Sequence, residues 1–183
     1  MNPLLKKLFD CDRADHKVSI TAGTEAYTDL RIRDAERRKQ VRSILCEERI
    51  TNCVDQYHAA WVLNHGDQPA DAELAYQLAE RSLDAGHEPA KWLYAAAFDR
   101  CCMYRGQPQK FGTQIVPDGE RYRLWETIAE TTDQERGRFN VPPIAEMHER
   151  AARDSLVLGQ PPMESAPDWL VAAIARWEQD ADV

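Results

Sequence analysis

The residues best suited to chemistry in this chain are His65 and the Asp99-Arg100 pair, followed by Gln109, Thr113 and Gln114 in a loop rich in Gly and Pro. Histidine titrates near neutrality, so His65 is a candidate general base or ligand. At the end of a helix it is equally a cap, its cationic form facing free carbonyls. Asp99 would be a general acid or base if burial tuned its carboxyl towards neutral pH. Its structural alternative is to lock the following loop through backbone N–H groups. Arg100, about 100° further round a helix, would bind an anionic group. Gln109, Thr113 and Gln114 are neutral donors and acceptors, suited to orienting a polar substrate or an oxyanion rather than to nucleophilic attack. Lys110, in the same loop, reads as a solvated lysine.

Other reactive residue types read as structural. His58 precedes His65 by about 10 Å of helix, too far to share one ion, and reads as a packing or surface residue. Cys101 and Cys102 fall near a helix C-terminus, where the dipole disfavours a thiolate, and read as small core filler. No zinc spacing, P-loop, Rossmann fingerprint or hydrolase elbow occurs, so neither a metal nor a cofactor is expected. A basic strip (Arg31, Arg33, Arg37, Arg38, Lys39 and Arg42) is interleaved with Asp34 and Glu36 and reads as a solvated helix face.

These residues need elements to position them. Asn2-Pro3 starts a first helix with Leu4, Leu5, Leu8 and Phe9 on one stripe, running to about Lys17. Val18 to Leu30 lacks a period and reads as loop. A second helix is expected over Arg33 to Glu48. A third runs from Gln56 to His65, capped by Asp55, a fourth from Asp71 to Ala85, and a fifth from Pro89 to Arg105. Helices three to five form antiparallel hairpins of the tetratricopeptide-like kind, with no second copy that would make a repeat array. Pro117-Asp118-Gly119-Glu120 between Thr113–Val116 and Arg121–Trp125 predicts one short β-hairpin. Thr132 opens a short helix, another covers Pro143 to Leu156, and a last one about Pro167 to Gln179 follows a Gly159-Gln160-Pro161-Pro162 linker. The fold class is therefore mainly α. One domain spans residues 1–183, with its core over 34–156 and a C-terminal helix over 167–180. If helices three, four and five alternate in direction, the ends of three and five meet, bringing His65, Asp99 and the Gln109–Gln114 loop to one end of the bundle.

Tyr57-His58-Ala59-Ala60-Trp61, Asn64-His65-Gly66-Asp67, Asp99-Arg100 and Gly106-Gln107-Pro108-Gln109-Lys110-Phe111-Gly112-Thr113-Gln114 together resemble a bacterial domain family of unknown function. That family has an Asp-Arg helix end and a Gly-x-Pro-Gln-x-Tyr/Phe-Gly-Thr-Gln loop. The resemblance covers about residues 34 to 150. Asn64 stands where the family usually has Gln. It implies a mainly helical fold with a small hairpin and no established reaction.

Composition bounds the partners. A net charge of −8 lacks the basic face that nucleic acid or an anionic membrane requires. No apolar run is long enough to span a bilayer. Five cysteines without a C-x-x-C motif fit a reduced, cytoplasmic setting. The sequence favours a cofactor-independent enzyme or binder of a polar small molecule; acid/base chemistry is expected, hydrolase and lyase reactions being examples, and the reaction class is left open. Asp99 or His65 would move the proton, and Arg100, Gln109, Thr113 and Gln114 would hold substrate. The alternative is a non-enzymatic helical module that binds a protein partner and uses the polar cluster as a structural clasp.

Overall fold

In the computed structural model, which describes residues 1–18, 20–47, 50 and 52–181, the chain is mainly helical. Among the described residues there are eight α-helices: α1 (Pro3–Asp15), α2 (Glu25–Cys46), α3 (Cys53–Asn64), α4 (Pro69–Asp84), α5 (Ala90–Tyr104), α6 (Asp133–Arg138), α7 (Ile144–Val157) and α8 (Asp168–Ala181). A single antiparallel hairpin joins β1 (Ile115–Pro117) to β2 (Tyr122–Leu124), pairing Ile115 with Leu124 and Pro117 with Tyr122. The turn between them is held by the Asp118 carboxylate, which accepts the N–H groups of Glu120 and Arg121. No described helix is long and apolar enough to cross a membrane.

The starts of these helices follow local chemistry. The Asn2 side chain accepts from the N–H groups of Leu4 and Leu5, with Pro3 in the first turn. Asn52, not the expected Asp55, caps α3; Asp55 lies in the first turn, where its carboxylate accepts the Asn2 N–H. That bond puts the starts of α1 and α3 together, so the two helices run parallel. Helices α3, α4 and α5 form the expected hairpins. Ala59, Ala60, Ala72, Ala75, Ala79 and Ala97, all buried, let their axes approach closely around Leu63, Leu78 and Leu93. Leu5 and Leu8 of α1 and Val41 and Ile44 of α2 complete this core. A smaller cluster gathers Met103, Val116, Trp125, Leu170 and Ala173, so α8 packs onto the hairpin and the end of α5.

One element differs substantially from expectation. Helix α2 begins at Glu25, capped by Thr24, inside the stretch expected to be loop. Its inward face carries Asp34, Arg37 and Arg38 beside Leu30, Val41 and Ile44. A polar buried face has no hydrophobic period to read. The basic strip is only in part a solvated face: Arg33, Lys39 and Arg42 are exposed, whereas Arg37 and Arg38 are each 7% exposed. Glu48, the expected end of that helix, lies outside the described residues.

Candidate functional site

Asp99 and the loop after α5 form one closed unit. Asp99 is fully buried. Its Oδ1 accepts the N–H groups of Lys110 (2.8 Å) and Phe111 (2.9 Å). Its Oδ2 accepts the N–H of Thr113 (2.9 Å) and the Thr113 hydroxyl (2.8 Å). Burial pushes the Asp99 carboxyl above its ordinary range, and those same donors oppose the shift. Gln109 is equally occupied. Its amide nitrogen donates to the Gln114 and Trp125 carbonyls and its oxygen accepts the Gln114 N–H. The Gln114 side chain donates to the Ala96 carbonyl on α5 and to Thr113 Oγ1. Buried Arg136, which the sequence reading passed over, donates to the Phe111 and Thr131 carbonyls from outside the loop. Gly112 sits inside at φ +82°, where a Cβ would meet Ile144 Cδ1 at 2.8 Å. Lys110 pairs with Glu135 at 2.8 Å.

His65 stands apart from this unit. No described hydrogen bond or ion pair joins it to Asp99, Gln109, Thr113 or Gln114. It is the C-cap of α3, and its backbone carbonyl accepts from Arg31 (2.8 Å) and Arg38 (3.4 Å) of α2. Those guanidiniums supply the positive charge that a helix C-terminus favours. The next carbonyl, that of Gly66, accepts the Tyr104 hydroxyl (3.0 Å) at the end of α5. The ends of α3 and α5 therefore do meet, as connectivity required. Gly66 is needed there, since a Cβ would fall 2.2 Å from Asp71 Cβ.

The His65 imidazole pairs instead with a residue that the sequence reading did not single out. Its Nδ1 lies 2.7 Å from Oδ2 of Asp12, a fully buried carboxylate on α1. A carboxylate only accepts, so in this pair Nδ1 carries the proton and Nε2 is left basic. The His16 ring stacks on His65 with centroids 3.8 Å apart and planes 14° apart. His16 Nε2 in turn lies 3.2 Å from Oδ1 of buried Asp34. Arg37 closes the circuit. Its Nη2 donates to Asp34 Oδ1 at 2.5 Å, its Nη1 donates to Asp15 Oδ2 at 2.8 Å, and its Nε faces Asp12 Oδ1 at 3.3 Å, an ion pair without hydrogen-bond alignment. The result is a ring: Arg37, Asp12, His65, His16, Asp34 and back to Arg37.

Electrostatics inside the ring follow from burial and charge. Burial pushes the His65 imidazole below its ordinary range; Asp12 opposes this, and His16 and Arg100 add to it. Burial would raise Asp34, but hydrogen bonds from His16 and Arg37, aided by the Arg31 charge, hold it at about 2. Two imidazolium ions 3.8 Å apart would repel by about 4 kcal/mol at an effective dielectric of 20. Both imidazoles remain partly open to solvent, with side-chain exposures of 24% for His16 and 20% for His65. Arg100, on α5, has no hydrogen-bond or ion-pair partner among the described residues, and its Nε is shielded from solvent. Trp61, one turn before His65, meets that ring edge-on at 6.0 Å, and its buried Nε1 also lacks an acceptor.

Asp12, His16 and His65 offer ligand atoms within 4.8 Å of one another, the spacing of a cation site. The stacked rings project their lone pairs along nearly parallel planes rather than towards one point, and guanidiniums surround them, so the arrangement suits proton chemistry better than a metal. The remaining candidates take structural positions. His58 is buried against Phe9 with rings 4.3 Å apart. Cys101 and Cys102 are buried, and burial pushes the Cys101 thiol up to about 11, which disfavours the thiolate.

The chain matches no family model, no curated protein and no solved structure.

Proposed function

We propose that this protein is a cofactor-independent enzyme, or binder, acting on a polar small molecule at the Asp12–His65 pair. The observation that carries the reading is the 2.7 Å contact between a fully buried carboxylate and an imidazole whose other nitrogen has no hydrogen-bond partner among the described residues. A buried carboxylate orients the ring, fixes its tautomer and stabilises the imidazolium formed when Nε2 takes a proton. His65 is then the base, and the chemistry is of the acid/base kind that hydrolases and lyases use. Asp99, Gln109, Thr113 and Gln114 support the site at one remove: they fasten the loop to α5, the helix whose last residue, Tyr104, meets the end of α3. A cytoplasmic setting and kinship with the bacterial family resembled in the Gly106–Gln114 loop belong to the same proposal. The five cysteines, all free, support the first of these.

The test is a fragment screen followed by the ring resonances of His16 and His65. Fragments should perturb those rings first, and Asp12→Asn should cancel the effect while preserving the folded spectrum. Hits that leave both rings unmoved would count against the reading. A second reading, a helical module for a protein partner, is favoured by the internal saturation of the Asp99 clasp and by Leu156 and Val157, which are 86% and 74% exposed. Its test is co-elution with a partner, lost on Leu156→Glu.

A further inference from the structure

We propose that an open cavity beside the Asp99 clasp, walled by Tyr94, Phe98, Phe111 and Phe139, binds a small aromatic molecule carrying one carboxylate. No member of the Asp12–His65 circuit lines this cavity, so it is a second site, independent of the one above.

The first ground is the wall. The cavity measures about 520 Å³, inside the range of small-molecule sites. Phe111 is the most buried of its four rings, at 2% exposed, while Tyr94, Phe98 and Phe139 are half-buried. Phe139 lies 4.8 Å from Phe111 with planes 56° apart, and it stacks on Tyr94 at 5.3 Å and 17°. Phe98 meets Phe111 edge-on at 6.0 Å. Rings set at such different angles let a flat guest stack on one wall and meet another by its edge.

The second ground is charge. Lys91, Lys110 and Arg138 line the same cavity with one carboxylate, that of Glu135. Lys110 pairs with Glu135 at 2.8 Å, and its ammonium lies 5.4 Å from the Phe111 centroid. Lys91 pairs with Glu88, just ahead of α5. Arg138, exposed in the last turn of α6, has no ion-pair or hydrogen-bond partner among the described residues. Three cations facing two carboxylates leave one positive charge over, on a chain whose net charge is −8. An aromatic cavity with one surplus cation fits a ligand with an aromatic body and one anionic group. A planar carboxylate meets the guanidinium fork in bidentate form.

The third ground is preorganisation. Asp99 Oδ1 accepts the N–H groups of both Lys110 and Phe111, and Arg136 Nε donates to the Phe111 carbonyl at 3.1 Å. Bonds on both sides of Phe111 set its backbone before a ligand arrives, so little ordering is left for binding to supply. Tyr76, outside the cavity, packs against Tyr94 at 5.3 Å and Phe98 at 5.6 Å and holds those rings as well. The clasp thus also holds a binding surface.

Titration of the full chain with cinnamate, followed by calorimetry and by the ring resonances of Tyr94, Phe98, Phe111 and Phe139, tests this. The expected result is saturable binding of one molecule per chain with a Kd below about 1 mM, those rings shifting together. Cinnamyl alcohol keeps the ring and lacks the charge; cyclohexanepropionate keeps the charge and lacks the aromatic ring. Each should bind at least about threefold more weakly than cinnamate. Arg138→Met should weaken cinnamate to the level of the alcohol while moving the melting temperature by less than about 2 °C, because Arg138 has no protein partner to lose. Phe139→Leu keeps the bulk, removes one ring and should weaken cinnamate by about threefold or more. No saturable binding at millimolar concentration, equal affinity for either analogue, or full affinity in Arg138→Met or Phe139→Leu overturns the proposal. So does binding that shifts the His16 and His65 rings instead of the aromatic set, which leaves the Asp12–His65 reading standing. If cinnamate shifts the aromatic set while the fragment screen leaves both imidazoles unmoved, this site stands and the Asp12–His65 reading falls.

Discussion

Replacing Asp99 separates a clasp from a catalytic group, because the two oxygens of its carboxylate carry different partners. Asp99→Ala removes acceptors for three backbone N–H groups and one hydroxyl, and the Phe111 N–H is left buried. Hydrogen bonds to charged groups contribute about 1.5–3 kcal/mol each, and orphaned buried donors cost a similar amount. Allowing for non-additivity, the loss is about 4–6 kcal/mol, a large share of the roughly 5–15 kcal/mol that holds a domain folded. For a chain of this size the melting temperature should fall by about 10–20 °C. Asp99→Asn should cost much less. Its oxygen still serves Lys110 and Phe111, and its amide can donate to Thr113 Oγ1, but the Thr113 N–H and the Thr113 hydroxyl proton both lose their acceptor, the buried-donor cost being about 1–3 kcal/mol. Circular dichroism melts and urea titrations of both variants measure the difference. A loss below about 1 kcal/mol for Asp99→Ala would refute the structural account and return Asp99 to the list of catalytic candidates.

Three further outcomes follow from the same geometry. Asp34 is held at about 2 in the folded chain, so its contribution of about 2 kcal/mol is present above roughly pH 4 and lost as pH falls through about 2; Asp34→Asn should flatten that part of a stability–pH curve. The folded-state imidazole of His65 lies below its unfolded value, so its stability contribution is complete above about pH 6.5 and lost as pH falls through the folded value; the slope seen in denaturant titrations between about pH 7 and 5 should shrink in His65→Asn. Gly112→Ala combines a positive φ with a 2.8 Å approach to Ile144 Cδ1 and should destabilise by about 1–3 kcal/mol, read as a lower urea midpoint at unchanged slope.

Much of the fold was legible because its signals are local. The Asn2-Pro3 start, the Pro-Asp-Gly hairpin turn, the Thr132 cap and the Ala-rich faces of α3 to α5 each act within a few residues. The meeting of α3 and α5 ends followed from short connections alone. The site was legible only in part. His65 and Arg100 stood out by type, and Asp99 stood out as polar where a core was expected. Asp12, His16 and Asp34 carried no such signal, since Asp12 lies 53 residues from His65 and Asp34 18 from His16. On α2 the same buried ions that build the site erased the apolar period that would have revealed the helix. Pairing across that distance is set by how α1 and α2 dock, which no spacing along the chain encodes.

Two members of the ring, Asp12 and His16, arrive on or just after α1, while His65 belongs to the end of α3 and Asp34 and Arg37 to α2. Local opening of α1 would split the Asp12–His65 and His16–Asp34 pairs and the stack in one event, leaving the Arg37–Asp34 pair within α2. The cooperative unit that exchanges its amides and the unit that binds ligand should therefore be the same one. Any molecule that holds His16 against His65 would slow hydrogen exchange all along α1, as far back as Leu5 in the core, ten or more residues from His16.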